Sequence, residues 1–242
     1  MPNSSFPENP QLIEEQVTFD LAGVIAGARQ SIPIALSTFA YGLVFGILSR
    51  QAGISLAESL LMSSLVYAGS AQFIVLDLWK TPLPVETIIL TTLVVNLRHL
   101  LMSVSLSPWF SRLPSAATYG TLFFLSDENW ALMMSEFAKG GRNAAFLLGS
   151  GLAIFTAWLS ATFVGQTVSS SLQDPSLWGL DFAFTAVFIA LLVGLWKGKS
   201  DLLPWTVAAI IAVAAAQWLP GKWYILLGGV VGSFVGSVRH AD

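Results

Sequence analysis

TTLVVNLRHLLMSVSLSP, residues 91–108, decides how the whole chain must be read. Thr91 to Leu106 is an apolar helical run, yet Asn96, Arg98 and His99 interrupt its middle. An arginine near the centre of a bilayer costs ~2.5–3.5 kcal/mol on insertion scales. Such a residue persists only where other protein groups partner it. On a helix, Asn96, His99 and Ser103 share one face, while Arg98 points about 200° from Asn96. The two polar sides need two different partners, so protein should surround this helix.

Working outward, the composition supports a membrane setting. Of 242 residues, 55% are hydrophobic and 10% charged, and mean hydropathy is +0.71. Soluble domains carry about 25% charged residues, which excludes an ordinary soluble fold. Apolar stretches of about 20 residues recur from residue 30 onward, as helical spans require. The weak alternation of a membrane β-barrel is absent. The net charge of −3 gives no basis for nucleic-acid binding. With no cysteine, disulfides and thiolate metal sites are excluded, and no motif for a metal or cofactor is present.

The fold class read from this pattern is all-α, a polytopic helical membrane protein of about eight spans. The spans are Ile32–Ser49, Ser55–Leu78, the helix ending at Pro108, Thr118–Ala138, Ala144–Val164, Leu180–Trp196, Leu202–Leu219 and Trp223–Val238. One of them could be re-entrant. Residues 1–29 read as a cytoplasmic tail ending in a helix that could lie at the interface, and residues 30–239 as the transmembrane domain. With the N-terminus inside, 7 of the 11 Lys and Arg fall inside, 3 outside, and Arg98 within the membrane. This asymmetry fits the positive-inside rule with both termini cytoplasmic.

Local signals refine the plan. Ser55-Leu-Ala-Glu58 has the form of a capping box, and Gly42 and Gly46 form a small-xxx-small pair. Gly228, Gly232 and Gly236 make a packing face for another helix of this chain or of a partner. Six tryptophans near span ends, Trp109 and Trp218 among them, fit interfacial belts. A faint internal match aligns Phe45-Gly46 with Val164-Gly165 about 119 residues later, as in transporters built from repeats.

Three groups could carry chemistry. Gly69, Ser70 and Gln72 lie in Tyr67-Ala-Gly-Ser-Ala-Gln-Phe73, where small residues can unwind a helix and free backbone groups for a substrate. Close helix contact is the plainer reading. Arg98, with Asn96, is the second group. Asp127 and Glu128 are the third and the natural counter-charges of Arg98, though adjacent helical residues diverge by about 100° and only one can face it squarely. His99 could carry protons, since an unperturbed histidine titrates near neutrality, or it could be a hydrogen-bonded core residue. Charged groups inside spans mark pathways more often than not, although a structural ion pair explains them too.

These residues resemble the AzlC family, the large subunit of two-component branched-chain amino acid exporters in bacteria. The similarity lies in GARQSIPIALSTFAYGLVFG, YAGSAQF, NLRHLLMSVSLSP, the Asp-Glu of SDENWAL, and LDFAFTAVFIALLV. The family's usual TDE appears here as Ser126-Asp127-Glu128, followed by Asn129 and Trp130. The resemblance implies export of leucine, isoleucine, valine or related amino acids across a bacterial inner membrane, with a small AzlD-type membrane subunit as partner. Proton coupling is the expectation, because no P-loop or ATPase segment is present. Substrate would meet Gly69, Ser70, Gln72, Asn96 and Arg98, and His99, Asp127 and Glu128 would move protons. Two rivals remain at this stage: an intramembrane serine hydrolase using Ser70 and His99, and a non-transporting membrane assembly factor.

Overall fold

A computed structural model describes residues 17–170, 198–219 and 223–240, with Ile189 and Val193 between them. Residues 1–16 and 171–179, and the expected span Leu180–Trp196 apart from those two residues, lie outside the described residues. The chain divides into two compact units, Met1–Leu76 with Val95–Pro175, and Asp77–Val94 with Ser176–Asp242.

Among the described residues the regular structure is helical, apart from a two-residue bridge between Thr18 and Asn143. We number the helices α1 Leu21–Gln30, α2 Ile32–Gln51, α3 Leu56–Leu65, α4 Gly69–Leu78, α5 Val85–Phe110, α6 Ser115–Leu122, α7 Asp127–Ala138, α8 Ala145–Ser170, α9 Leu202–Trp218 and α10 Trp223–His240. Among the described residues, four segments are long and apolar enough to cross a membrane: α2, α5, α8, and α9 with its preceding turn.

The first unit is assembled on α8. Helix α1 starts under Asp20, whose carboxylate accepts from the Gly23 N–H at 3.0 Å and the Asn143 amide at 2.6 Å. Those two bonds hold the Asp20 carboxyl below its usual range. Helix α1 packs along the start of α8, where Gly27 lies on the Phe146 carbonyl and Gly149 on that of Val24. After Ser31 and Pro33, α2 continues along α8 in the same direction. Gly42 faces Trp158 and Ala161, Gly46 faces Thr162 and Gln166, and Ser169 donates to the Ile47 carbonyl at 3.4 Å. Gly46 and Gly165 meet face to face, Gly165 facing Leu43 and Ile47 in return. The residues contacted stand at equivalent positions about each glycine, so the pair joined by the faint internal match marks a locally two-fold crossing. A Cβ at Gly46 would lie 2.9 Å from the Gln166 nitrogen and run into the Thr162 carbonyl.

Helix α3 opens with the capping box expected at Ser55 and Glu58 and runs antiparallel to α8. A buried polar seam joins the two. The Gln166 amide donates to Ser49 at 2.9 Å, Ser59 at 2.6 Å and the Ile54 carbonyl at 3.1 Å, and Ser63 bonds Thr162 at 3.2 Å. Interhelical hydrogen bonds of this kind hold helices together in lipid, at about 0.6 kcal/mol each on average.

Two segments expected as single crossings are each a pair of half-length helices folded back on themselves. In the first, Val66–Ala68 separate α3 from α4, and the Gln72 amide returns to donate to Ser63 Oγ at 3.1 Å. In one straight helix those positions would lie about 13.5 Å apart along the axis, beyond the reach of both side chains. In the second, α6 leaves the end of α5, with Thr118 donating to the Phe110 carbonyl at 3.0 Å. The chain then turns at residues 123–126, and α7 runs back parallel to α5. Asp127 meets Arg98, Trp130 meets Ser105, and Phe137 stacks on Trp109 at 4.0 Å. Trp109 is therefore a core residue, part of a cluster with Met102, Leu106, Met133 and Phe146, and not an interfacial anchor.

In the second unit α9 and α10 run antiparallel. Gly228 and Gly232 lie against Ala208, with Gly232 and Gly236 against Pro204. The glycine stripe is thus a packing face within the chain. Gly46→Leu should lower the thermal unfolding midpoint of the detergent-purified protein, because overpacking costs about 1–3 kcal/mol. Gly120→Ala, which meets nothing within 4 Å, should not lower it, because alanine is the better helix former.

Candidate functional site

Arg98 stands at the midpoint of the 26-residue α5. Its Nη2 donates to Ser70 Oγ at 2.6 Å, and its Nη1 lies 2.5 Å from Asp127 Oδ2. Ser70 is the second residue of α4 and Asp127 the first of α7. The guanidinium therefore joins the starts of two half-length helices, one from each folded-back pair. Helix starts carry partial positive charge, which favours the Asp127 carboxylate where it sits. The clamp is open on one side, with 38% of the Arg98 side chain and 44% of the Asp127 side chain exposed.

Local chemistry fixes each partner. Ser126 caps α7: its hydroxyl accepts from the Asn129 N–H at 3.5 Å, and Asn129 Oδ1 accepts from the Ser126 N–H at 2.8 Å. The Asn129 amide also donates to the Phe124 carbonyl at 2.6 Å. Fully buried, Asn129 ties both strands of the turn and so sets the direction of Asp127. One residue on, the Trp130 indole donates to Ser105 at 2.8 Å and locks α7 to α5.

At the other tip, Tyr67 holds a left-handed backbone, φ 35°, unusual for a bulky residue. Its buried ring contacts Phe155 at 5.2 Å and Phe124 at 6.5 Å between centroids. Phe124 belongs to the opposite turn and Phe155 to the middle of α8, so the two tips share one aromatic centre. Helix resumes at Gly69, where the sequence suggested unwinding, and the break lies just ahead of it. Gly69 permits close approach instead, since a Cβ there would lie 3.2 Å from the Trp158 ring. Trp158 in turn stacks on Phe45 at 5.5 Å.

Of the residues singled out from the sequence, Ser70, Arg98 and Asp127 come together directly, with Gly69 adjoining Ser70. Glu128 lies beside the clamp on the exposed side of α7. Asn96 and His99 are half-buried on another side of α5, and no group among the described residues bonds Asn96 Oδ1. Gln72 is committed to Ser63, away from the clamp. Sequence reasoning missed the Ser126–Asn129 cap, Tyr67 and the polar seam. Two of these had signals: the Ser-x-x-Asn spacing ahead of an apolar run, and paired four-residue spacings at Ser59/Ser63 and Thr162/Gln166.

Several apolar helices of spanning length, one of them carrying a charged clamp at its midpoint, define a polytopic helical membrane protein. The chain belongs to the AzlC family: the family model described as AzlC protein matches residues 33–172. It is 30% identical over 214 residues to an uncharacterized membrane protein of Archaeoglobus fulgidus, covering 81% of this chain and 93% of that one. It is 26% identical over 216 residues to the inner membrane protein YgaZ of Escherichia coli, covering 87% of each. Similarity to the branched-chain amino acid transport protein AzlC of Bacillus subtilis is 24% over 214 residues and 84% of each chain. No solved structure matches the chain significantly.

Asn129→Leu keeps the volume but leaves the Ser126 N–H and Phe124 carbonyl unpaired, each costing about 1–3 kcal/mol. Its unfolding midpoint should fall well below that of Trp130→Phe, which loses one bond worth about 0.5–1.5 kcal/mol. Thermal unfolding of the two variants side by side checks the order.

Proposed function

We propose that the protein is a secondary transporter that exports branched-chain amino acids, coupled to protons and working with a small AzlD-type membrane subunit. Its place would be a bacterial inner membrane, with both termini cytoplasmic and residues 30–239 forming the transport domain. The observation that carries this reading is the Arg98 clamp, a cation at mid-helix held between two helix starts and open on one side. Ser70 and Arg98 offer donors to a substrate carboxylate, and helix starts favour the same group. Asp127 and Glu128 offer acceptors to the ammonium. Tyr67, Phe124 and Phe155 give an apolar side chain aromatic surface nearby.

Proton coupling assigns Asp127, Glu128 and His99 to the proton. A carboxylate that gives up its arginine to the substrate must find another partner, a proton or the substrate ammonium, before the site can move. The Bacillus subtilis relative, named for branched-chain amino acid transport, supports the substrate class. A serine hydrolase is disfavoured: the Ser70 hydroxyl is held by Arg98, and no Ser70–His99 bond forms. General-base activation needs that bond or a close approach to it.

Counterflow of labelled leucine in proteoliposomes, with and without the small subunit, tests the proposal. Arg98→Ala should abolish flux while the protein stays in the membrane. Normal flux in that variant removes the central role given to Arg98. An absence of substrate-dependent flux in the unmutated protein supports an assembly factor instead.

A further inference from the structure

We infer that the α3–α4 and α6–α7 pairs are re-entrant hairpins that dip into the bilayer from opposite faces. Their tips then meet at the midplane on either side of Arg98. Helices α2 and α8 pack in the same direction over Gly42–Ile47 and Trp158–Ser169. Two helices that cross a membrane in the same direction must be joined by an odd number of crossings. Between them lie α5, which is long and apolar enough to cross once, and the two broken segments. Either both broken segments cross or neither does, and one alone is forbidden.

Contacts within each segment choose between the two. Gln72 returns to Ser63, so α4 retraces α3. Thr118 begins at the end of α5, Asp127 reaches its middle, and Phe137 is back beside Trp109 near its end, so α7 retraces α6. Lengths agree: half-helices of 8 to 12 residues are about 12–18 Å long, close to half of a hydrocarbon core about 30 Å thick. Both turns fall at one depth, because Tyr67 and Phe124 each pack on Phe155 near the middle of α8.

The first hairpin therefore enters from the face where α2 ends, and the second from the face where α8 begins. Non-helical backbone at mid-membrane is tolerated only inside protein or beside water, and a charged pair left part-exposed at that depth requires water as well. The positive-inside asymmetry persists within the first unit: Arg29, Arg112, Lys139 and Arg142 fall on one face, and Arg50 on the other. A site at the meeting point of two opposed hairpins lies at equal depth from both faces, so withdrawing either tip opens it to one side only. That last consequence rests on the clamp being the substrate site; the topology does not.

The chain lacks cysteine, so single-cysteine variants at exposed positions report sidedness cleanly. Gln51→Cys, Thr81→Cys, Ser111→Cys and Lys139→Cys would be treated with a membrane-impermeant maleimide, in intact cells and after permeabilisation. The expected result is that Thr81→Cys labels with the sidedness of Gln51→Cys, and Ser111→Cys with that of Lys139→Cys. Opposite sidedness within either pair means that the segment crosses, and it overturns the inference whatever the orientation of the chain. Leucine counterflow by the same variants reads the transport proposal separately, so failure of one does not masquerade as failure of the other.

Discussion

A guanidinium at the centre of an apolar helix is the constraint on which the first unit depends. Arg98 cannot be stripped of partners at that depth without a cost of ~2.5–3.5 kcal/mol or more. The fold supplies one hydroxyl from α4 and one carboxylate from α7. Supplying them requires two helices to start at the same level as the arginine, and helices that start there must be half-length. The broken segments, the Ser126–Asn129 cap and the left-handed Tyr67 all follow from bringing two helix starts to one cation.

The frame that holds those starts in place is polar and close-packed, with little help from side-chain bulk. Glycines let α1 and α2 lie backbone against backbone along α8. Serine, threonine and glutamine side chains then stitch α3 to the same helix. In lipid the hydrophobic effect does not drive helices together, so close backbone approach and hydrogen bonds must do so. The apolar exceptions are local: the Trp109–Phe137 stack under α5, the Phe45–Trp158–Phe73 cluster between α2, α4 and α8, and the Tyr67–Phe124–Phe155 centre where the tips touch.

Much of this was legible in the chain. The membrane setting followed from composition, the Ser55–Glu58 cap from its spacing, and the pairing of Arg98 with an acidic residue from the need of a buried charge for a counter-charge. That one span could be re-entrant was open from the sequence, but the fold-back of both residues 56–78 and 118–138 was not legible. Apolar content reports how much of a segment lies in lipid and says nothing of its direction, so two half-helices read like one crossing. Only contacts such as Gln72 to Ser63 reveal the reversal. Gly69 stayed ambiguous for a related reason: glycine serves both unwinding and close approach, and the Trp158 ring that decides between them is 89 residues away.

The claim on which the rest stands is that the two hairpin tips meet at Arg98. Its most direct test is a short bifunctional thiol cross-linker applied to the membrane-embedded Ser70→Cys/Asp127→Cys chain, because both side chains lie within bonding distance of one guanidinium. An efficient cross-link within the chain is expected from reagents of the shortest reach, and none when Asp127→Cys is paired with Gln51→Cys. A Ser70/Asp127 pair that stays unlinked, or links only through long spacers, would contradict it.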